Sequence, residues 1–426
     1  MCYQINDYMN DKLSIFLCGF RKGMSAQNCL LFLVEKWKAC LDKYGKAGVL
    51  LTALSKAVDC LVHELLLTKL HAYGFGTLSL KLIHSYLTER SQRVRINASF
   101  SAWREILFGV PQGSILGPPL YNIYSNDLFL FLILFIANYA DDNSPFSCDK
   151  TIPAVISDLE SESTTLLKWI SDNGLKANPD KFHLLLSDKN IELTVKVDNF
   201  LIKNSNSQKL LGIEMDNKMT FDIHVSNICT KASQKLHALS RVSHLMEFKH
   251  RKIVMNSFIM SQFGYCPLVW MFHSRKLNNR INRIHERALR LVYQNNSTFE
   301  ELLAKDESYS IHHRNIQTLG IELYKVAYGL SPKIMNHVFP LADETTRPSE
   351  CKFASRNVRS VTWGTETLAF LAPKIWSMIP VDMKKYSLSK FTKKIRKWIP
   401  DKCPCRNCKT YIQNVGFVEV ATSIYS

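Results

Sequence analysis

Two adjacent carboxylates, Asp141 and Asp142, lie in the stretch Asn138-Tyr139-Ala140-Asp141-Asp142-Asn143. An apolar run over residues 128–137 leads in, and Ser144-Pro145-Phe146-Ser147-Cys148 leads out. Strand-like apolar residues on either side of a short polar turn predict a β-hairpin with both carboxylates at its tip. Neighbouring carboxylates repel unless a cation lies between them. Mg²⁺ suits such a tip, because it is held by one or two carboxylates together with substrate phosphates. Taken alone, the pair reads better as a solvated Asp-Asp turn, so the surrounding chain has to overturn that reading.

Several elements are needed to position that tip. Residues 48–54 read as a buried strand, followed by a helix with Leu61, Leu65, Leu66 and Leu70 apolar that closes at Gly74. A second helix covers about residues 77–87, and 94–100 alternate like an edge strand. The run Gly109-Val110-Pro111-Gln112-Gly113-Ser114-Ile115-Leu116-Gly117-Pro118 places three glycines and two prolines in ten residues, a fixed turn that can approach a ligand closely. An amphipathic helix is expected over 152–170, and short strands over 181–186, 191–197 and 209–215. Upstream, residues 18–25 form a Gly-punctuated basic loop, and Leu30, Leu31, Leu33, Val34, Trp37 and Leu41 fall at helical spacing. Mixed strands and helices place the chain in the α+β class.

The 426 residues can bury a large core in two or three domains. A hydrophobic content of 46% and a charged content of 21% are those of a globular chain. A net charge of +17 and a pI near 9.3 call for a polyanionic partner, nucleic acid or an acidic membrane surface. The apolar run at 128–137 is about half the roughly twenty residues a membrane span needs, so no membrane association is expected. No secretory signal opens the chain. The twelve Cys have no spacing framework, which predicts reduced thiols and an intracellular setting, nuclear or cytoplasmic. From residue 221 onward the character turns helical and basic. Lys231, Lys235, Arg241, Lys249, Arg251 and Lys252 are followed by Arg275, Lys276, Arg280, Arg283, Arg287 and Arg290. A solvated helical face accounts for any one such run; persistence over two helices with interleaved aromatics favours a nucleic-acid face.

In order, residues 19–25, 48–59, 109–127 and 139–142 resemble the reverse transcriptase of non-LTR retrotransposons, most like the jockey-type clade. The runs 173–181 and 209–213 look like the two palm motifs that follow. The resemblance implies an α+β fold of right-hand polymerase form. An antiparallel palm sheet with partial fingers would occupy residues 1–216, a helical basic thumb 217–300, and a C-terminal helical region with a Cys-rich tail 301–426. It implies an RNA-directed DNA polymerase, a nucleotidyltransferase that extends a DNA primer on an RNA template from deoxynucleoside triphosphates. Two Mg²⁺ ions are implied, with Mn²⁺ as a substitute. Carried over by position, Asp141 and Asp142 are the metal ligands. Pro111, Gln112, Gly113 and Ser114 match the loop that seats the template base and incoming nucleotide. Lys181 matches a palm lysine near the departing pyrophosphate, where a solvated surface lysine is the plainer reading. Leu211 and Gly212 match the turn that grips the primer, against an ordinary hairpin glycine. Arg21 and Lys22 match a fingers loop that touches template or triphosphate, against two solvated loop cations.

The chain also departs from the family it resembles. Ala53 stands where the family carries the Asp that bridges both metals, and Asp59, six residues on, matches the family's own second Asp. Val58 replaces a bulky aromatic that sits under the sugar and rejects ribonucleotides. Set against that family, the first fingers segment and the endonuclease domain that usually precedes the polymerase are expected to be lacking. A truncated, decayed element copy with impaired catalysis is therefore expected, with a non-catalytic nucleic-acid-binding remnant as the alternative and an intron-maturase-like RNA binder ranked below both. In the tail, Cys403, Cys405 and Cys408 could hold zinc only with a fourth ligand such as Cys351; reduced surface thiols are the expectation.

Overall fold

The computed structural model describes residues 1–342, 352–401 and 404. The zinc question at Cys351, Cys403, Cys405 and Cys408 lies outside them. The chain forms two compact units, residues 1–29 with 45–206, and 30–44 with 207–426.

The first unit begins with α1 (Cys2–Met9) and the opening turn of α2 (Ala26–Lys43). Its centre is β1 (Lys46–Leu51), a strand of small and apolar residues buried from Ala47 on. Helices α3 (His63–Ala72) and α4 (Thr77–Leu87) follow as the leucine spacing predicts. A ribbon of two-residue strands comes next: β2 (Ser91–Gln92), β3 (Arg95–Ile96), β4 (Ser99–Phe100) and β5 (Arg104–Glu105). Here the expected single edge strand over 94–100 is corrected. Asn97, with φ +54°, turns the chain back so that Arg95 pairs with Phe100. Asn tolerates that left-handed conformation, and no core lies under the segment to hold it extended.

Helix α5 (Gly117–Ser125) is buried along nearly its whole length. The apolar run at 128–137 is a second correction. It starts as a single helical turn, α6 (Leu128–Phe131), and becomes strand only at β6 (Phe135–Tyr139). A short apolar run does not by itself distinguish helix from strand. β7 (Asp142–Asp149) returns antiparallel to β6, and α7 (Ile152–Asp172) presents Val155, Leu159, Leu166 and Trp169 inward. A 3₁₀ turn, Pro179–Lys181, precedes β8 (His183–Leu186), so the strand expected from 181 begins two residues late. β9 (Thr194–Val197) and β10 (Phe200–Lys203) form a small hairpin.

The main sheet runs β6-β7-β1-β8, antiparallel throughout. One apolar cluster joins Leu50, Leu184 and Leu186 to Val155 and Leu159 of α7 and to Val195 and Val197. A second gathers Leu54, Leu66 and Leu70 with Leu120, Tyr121, Tyr124 and Trp169. Within the second cluster the Lys69 amine, only 9% exposed, is fully engaged. It donates to Tyr124 O at 2.7 Å, Asp127 Oδ1 at 2.9 Å and Asn173 Oδ1 at 2.5 Å. A buried ammonium is tolerable only when paired in this way.

In the second unit β11 (Ser207–Leu210) and β12 (Ile213–Asp216) form a hairpin, so the single strand expected over 209–215 is broken at Leu211-Gly212. Asp216 then accepts from the backbone N–H groups of Lys218, Thr220 and Phe221 and turns the chain into α8 (Asp222–Val242). α9 (Phe248–Val254) and α10 (Arg275–Tyr293) follow. α10 buries Ile281, Ile284, Ala288, Leu289 and Val292 on one face and carries Lys276, Arg283 and Arg287 exposed on the other. Other arginines of the basic segment hold the fold together. Arg251 is buried and donates to the carbonyls of Val292, Ser243 and Met246, and Arg280 bonds the Ser226 and Thr230 hydroxyls. Residues 30–43 of α2 also belong to this unit. There Glu35 accepts from the backbone N–H groups of Leu368 and Ala369, and Asp42 from those of Arg359 and Ser360.

Among the described residues no helix is long and apolar enough to cross a membrane. Among the described residues Cys2, Cys18, Cys29, Cys60, Cys229 and Cys266 are free thiols.

Candidate active site in the first unit

The β6–β7 hairpin closes Tyr139 against Asp142, leaving Ala140 and Asp141 as a two-residue turn. Ala140 sits at φ +57°. Asn138 and Asn143 lock the turn from inside: the Asn138 amide donates to Ala140 O at 3.0 Å and to Asn143 Oδ1 at 2.9 Å. Both carboxylates are half-buried. Burial and then the adjacent Asp141 raise the Asp142 pKa, and Lys181 works against them. Below the tip Tyr121 is buried, and both aspartates add to the burial that pushes its hydroxyl pKa upward.

β1 carries the chain to the same place. Its pairing with β7 runs from Lys46 opposite Asp149 to Val49 opposite Phe146, and continues as a bridge from Thr52 to Asn143. The next residue pair in that register is Ala53 opposite Asp142. Directly opposed residues of an antiparallel pair project to one face, with Cβ atoms about 5 Å apart. Ala53 O accepts from Asn178 N at 3.0 Å, which ties the segment before Lys181 to the same edge.

Asp59 is elsewhere and engaged. It lies in the 3₁₀ turn Ala57–Cys60, and both its oxygens accept from the Gln112 amide, at 2.8 and 2.9 Å. The loop that bears Gln112 runs against residues 58–62, with Val110 N bonded to Val58 O and Gly109 N to Leu61 O. Gly109, at φ +81°, is required there: a Cβ would lie 2.7 Å from the Asp59 backbone. Ser114 closes the loop through a hydroxyl–hydroxyl bond of 2.5 Å to Tyr86. Val58 is half-buried beside this loop, while Gln112 and Gly113 are exposed and Pro111 half-buried. Asp141, Asp142, Lys181, Val58 and the 111–114 loop thus all belong to the first unit.

Arg21 and Lys22 divide. The Arg21 guanidinium donates to the carbonyls of Ser14 (2.6 Å), Leu17 (3.4 Å) and Asn10 (2.9 Å), and burial lowers its pKa. It braces the loop, while Lys22 is exposed. Leu211 and Gly212 lie in the second unit, at φ +46° and +83°, where the Tyr265 hydroxyl donates to Leu211 O at 2.7 Å.

One contact had no signal in the spacing of the chain. Gly19 lies against the hairpin tip so closely that a Cβ would fall 2.3 Å from Ala140 N. Its carbonyl accepts from the Asn122 amide at 2.9 Å, and Cys18 N bonds Asn138 O at 3.2 Å. Gly19→Val is therefore expected to displace the carboxylates. In a chain made active by Ala53→Asp it should cost about tenfold or more in primer extension, given what 1 Å misplacements cost. Steady-state extension beside a thermal melt tests this; unchanged extension refutes it.

Two adjacent carboxylates, one of them raised in pKa by burial and then by its neighbour, suit one ion shared with substrate phosphates. Ala53, next in the register that brings Thr52 to Asn143, adds a methyl group and no carboxylate beside them. No group of three or more metal-ligating side chains occurs among the described residues.

Residues 2–215 match the model of a family described as reverse transcriptase (RNA-dependent DNA polymerase). The chain is 25% identical over 306 residues to a probable RNA-directed DNA polymerase from transposon BS of Drosophila melanogaster, covering 68% of this chain and 34% of that protein. To the RNA-directed DNA polymerase from mobile element jockey of the same fly it is 30% identical over 157 residues, 34% of this chain and 17% of the other. The chain thus spans about a third of the length of the first of these relatives and less of the second. Among solved structures, telomerase from Candida albicans in complex with a fragment of telomeric RNA aligns with 78% of this chain and 56% of its own, at 15% identity and a TM-score of 0.35. So distant a likeness carries no argument here.

Proposed function

The chain belongs to the reverse transcriptase (RNA-dependent DNA polymerase) family, and from that premise we propose that it descends from the polymerase of a jockey-like non-LTR retrotransposon. Its reaction is the extension of a DNA primer along an RNA template from deoxynucleoside triphosphates, impaired in this chain by Ala53. The observation that carries both halves is the register that sets Ala53 opposite Asp142 beside the Asp141 tip.

Asp141 and Asp142 would hold Mg²⁺, or Mn²⁺, jointly with the phosphates of the incoming nucleotide. Bound there, the metal supplies Lewis-acid chemistry, activating the primer 3′-hydroxyl and stabilising charge on the departing pyrophosphate. The chain's own groups do the positioning. Lys181, whose charge already reaches Asp142, is placed to offset negative charge on the leaving group. Pro111, Gln112, Gly113 and Ser114 seat the templating base and the nucleotide, with Gln112 fixed by Asp59. Val58 leaves open the space under the sugar. Lys22 meets template or triphosphate from a loop that Arg21 braces. Leu211 and Gly212 grip the primer. In this reading residues 1–216 are partial fingers and palm, 217–300 a thumb whose exposed Lys276, Arg283 and Arg287 meet phosphates, and 301–426 a C-terminal helical region.

The alternative, a binding remnant without catalysis, is favoured by Ala53 alone. Template-directed incorporation by the Ala53→Asp chain with Mg²⁺ separates the two. Incorporation that disappears on adding Asp142→Asn supports the polymerase. Binding of RNA–DNA hybrid that weakens steeply with salt, without incorporation under either metal, supports the remnant.

A further inference from the structure

The ribbon β2–β5 rises out of the nucleotide-seating loop and is exposed at every residue from 89 to 105. Its base is pinned where Tyr86 bonds Ser114. Two-residue strand pairs have almost no stability of their own. What organises this one is arginine on aromatic rings. The Arg93 guanidinium stands 4.0 Å from the centre of the Phe100 ring and 4.6 Å from that of Trp103, and Arg95 lies 5.4 Å from Phe100. Neither arginine has an ion-pair partner among the described residues. Phe100 and Trp103 are nevertheless 50% and 61% exposed.

We propose that this arginine–aromatic ribbon is a stacking platform for an unpaired stretch of RNA, the template strand next to the polymerase site; the inference rests on the function proposed above. A guanidinium held over a ring by cation–π attraction still has N–H groups to offer to phosphate or base edges. The open ring faces take bases by stacking, which is available in a single strand and closed in a duplex. Arg90, Arg93, Arg95 and Arg104 outnumber Glu89 and Glu105 on the ribbon, which matches a polyanion.

The test is fluorescence anisotropy of the full chain with a labelled single-stranded RNA and with a blunt RNA–DNA hybrid of equal length. Phe100→Ala with Trp103→Ala should weaken single-strand binding by about tenfold or more, since one lost base–aromatic stack alone is worth that much, and leave the hybrid unchanged. Trp103→Phe should restore most of the loss. Arg93→Lys, which keeps the charge and loses the planar stack, should fall between. Equal single-strand affinity in the parent and the double variant overturns the platform. So does a parent that binds hybrid but no single strand, which leaves the polymerase reading intact. A parent that binds neither overturns both. Loss of binding to phosphatidylserine vesicles in the double variant, with RNA binding unmoved, would assign the ribbon to an anionic membrane surface and overturn the proposal.

Discussion

Restoring a carboxylate with Ala53→Asp is expected to raise primer extension on an RNA template by about 10³-fold or more over the parent chain with Mg²⁺. The magnitude follows from several kcal/mol of transition-state stabilisation that a missing metal ligand removes. The geometry follows from the sheet. The β1–β7 ladder reaches Thr52 opposite Asn143 without a slip, so the new side chain must face Asp142 across one strand spacing. Asp59 offers no way round, because Gln112 holds both its oxygens and the 3₁₀ turn carries it off the strand. Comparable activity in the parent would make Asp59 a ligand and move the metal site; silence in both forms would reject the polymerase reading. The same substituted chain tests Val58, since the open space beneath the sugar should admit ribonucleotides, and Val58→Phe should exclude them. Without metal the third carboxylate carries a penalty. Asp142 is already raised in pKa, and another neighbouring charge raises it further. Folding stability should therefore fall as the pH rises from the unfolded carboxylate value through the folded one, and recover when Mg²⁺ is added.

His285→Leu is expected to stabilise the second unit by about 1–3 kcal/mol at neutral pH, as removal of an unpaired buried polar group does. His285 is completely buried in α10, its ring edge-on to Phe299, and neither ring nitrogen has a hydrogen-bond partner among the described residues. Burial, reinforced by Arg314, pushes its pKa down to about 3 from an ordinary 6.5. The unfolded chain therefore binds a proton that the folded chain refuses between those values, so stability is lost as the pH falls from about 6.5 towards 3. The slope approaches about 1.4 kcal/mol per pH unit for this one residue. The leucine form should lack that component and retain the one from His224, which burial lowers to about 4. Hydrogen exchange of the α10 amides from pH 7 to pH 4 measures both, and equal slopes in the two forms would rule the account out.

Much of the first unit was legible because its signals are local. The apolar strand at 48–54, the leucine spacing of α3, the amphipathic pattern of α7 and the Asp-Asp turn each depend on a few consecutive residues. Other features were not. Residues 128–131 coil instead of extending because a short apolar run carries no period. The basic segment was read from charge, yet Arg251 turns inward to three carbonyls, a destination that charge does not encode. Gly19 gave no sign that it underlies the carboxylate tip, because the contact spans more than a hundred residues. Ala53 was legible only through likeness to a family; the ladder then supplied the neighbour that gives it meaning.

The two carboxylates of α2 that cap backbone N–H groups near residue 360 also set an order of events. Glu35 waits for a partner 333 positions downstream. At about 5–20 residues per second of synthesis, that helix is out for roughly 15 to 70 s before its partners exist. During that time Leu30, Phe32, Val34 and Trp37, all buried in the finished protein, belong to a helix whose two carboxylates still lack their backbone partners. The second unit thus completes itself by recruiting one of the earliest helices to be made. A ribosome that stalls within the last hundred residues leaves that helix unclaimed, a hydrophobic target for chaperones or for aggregation.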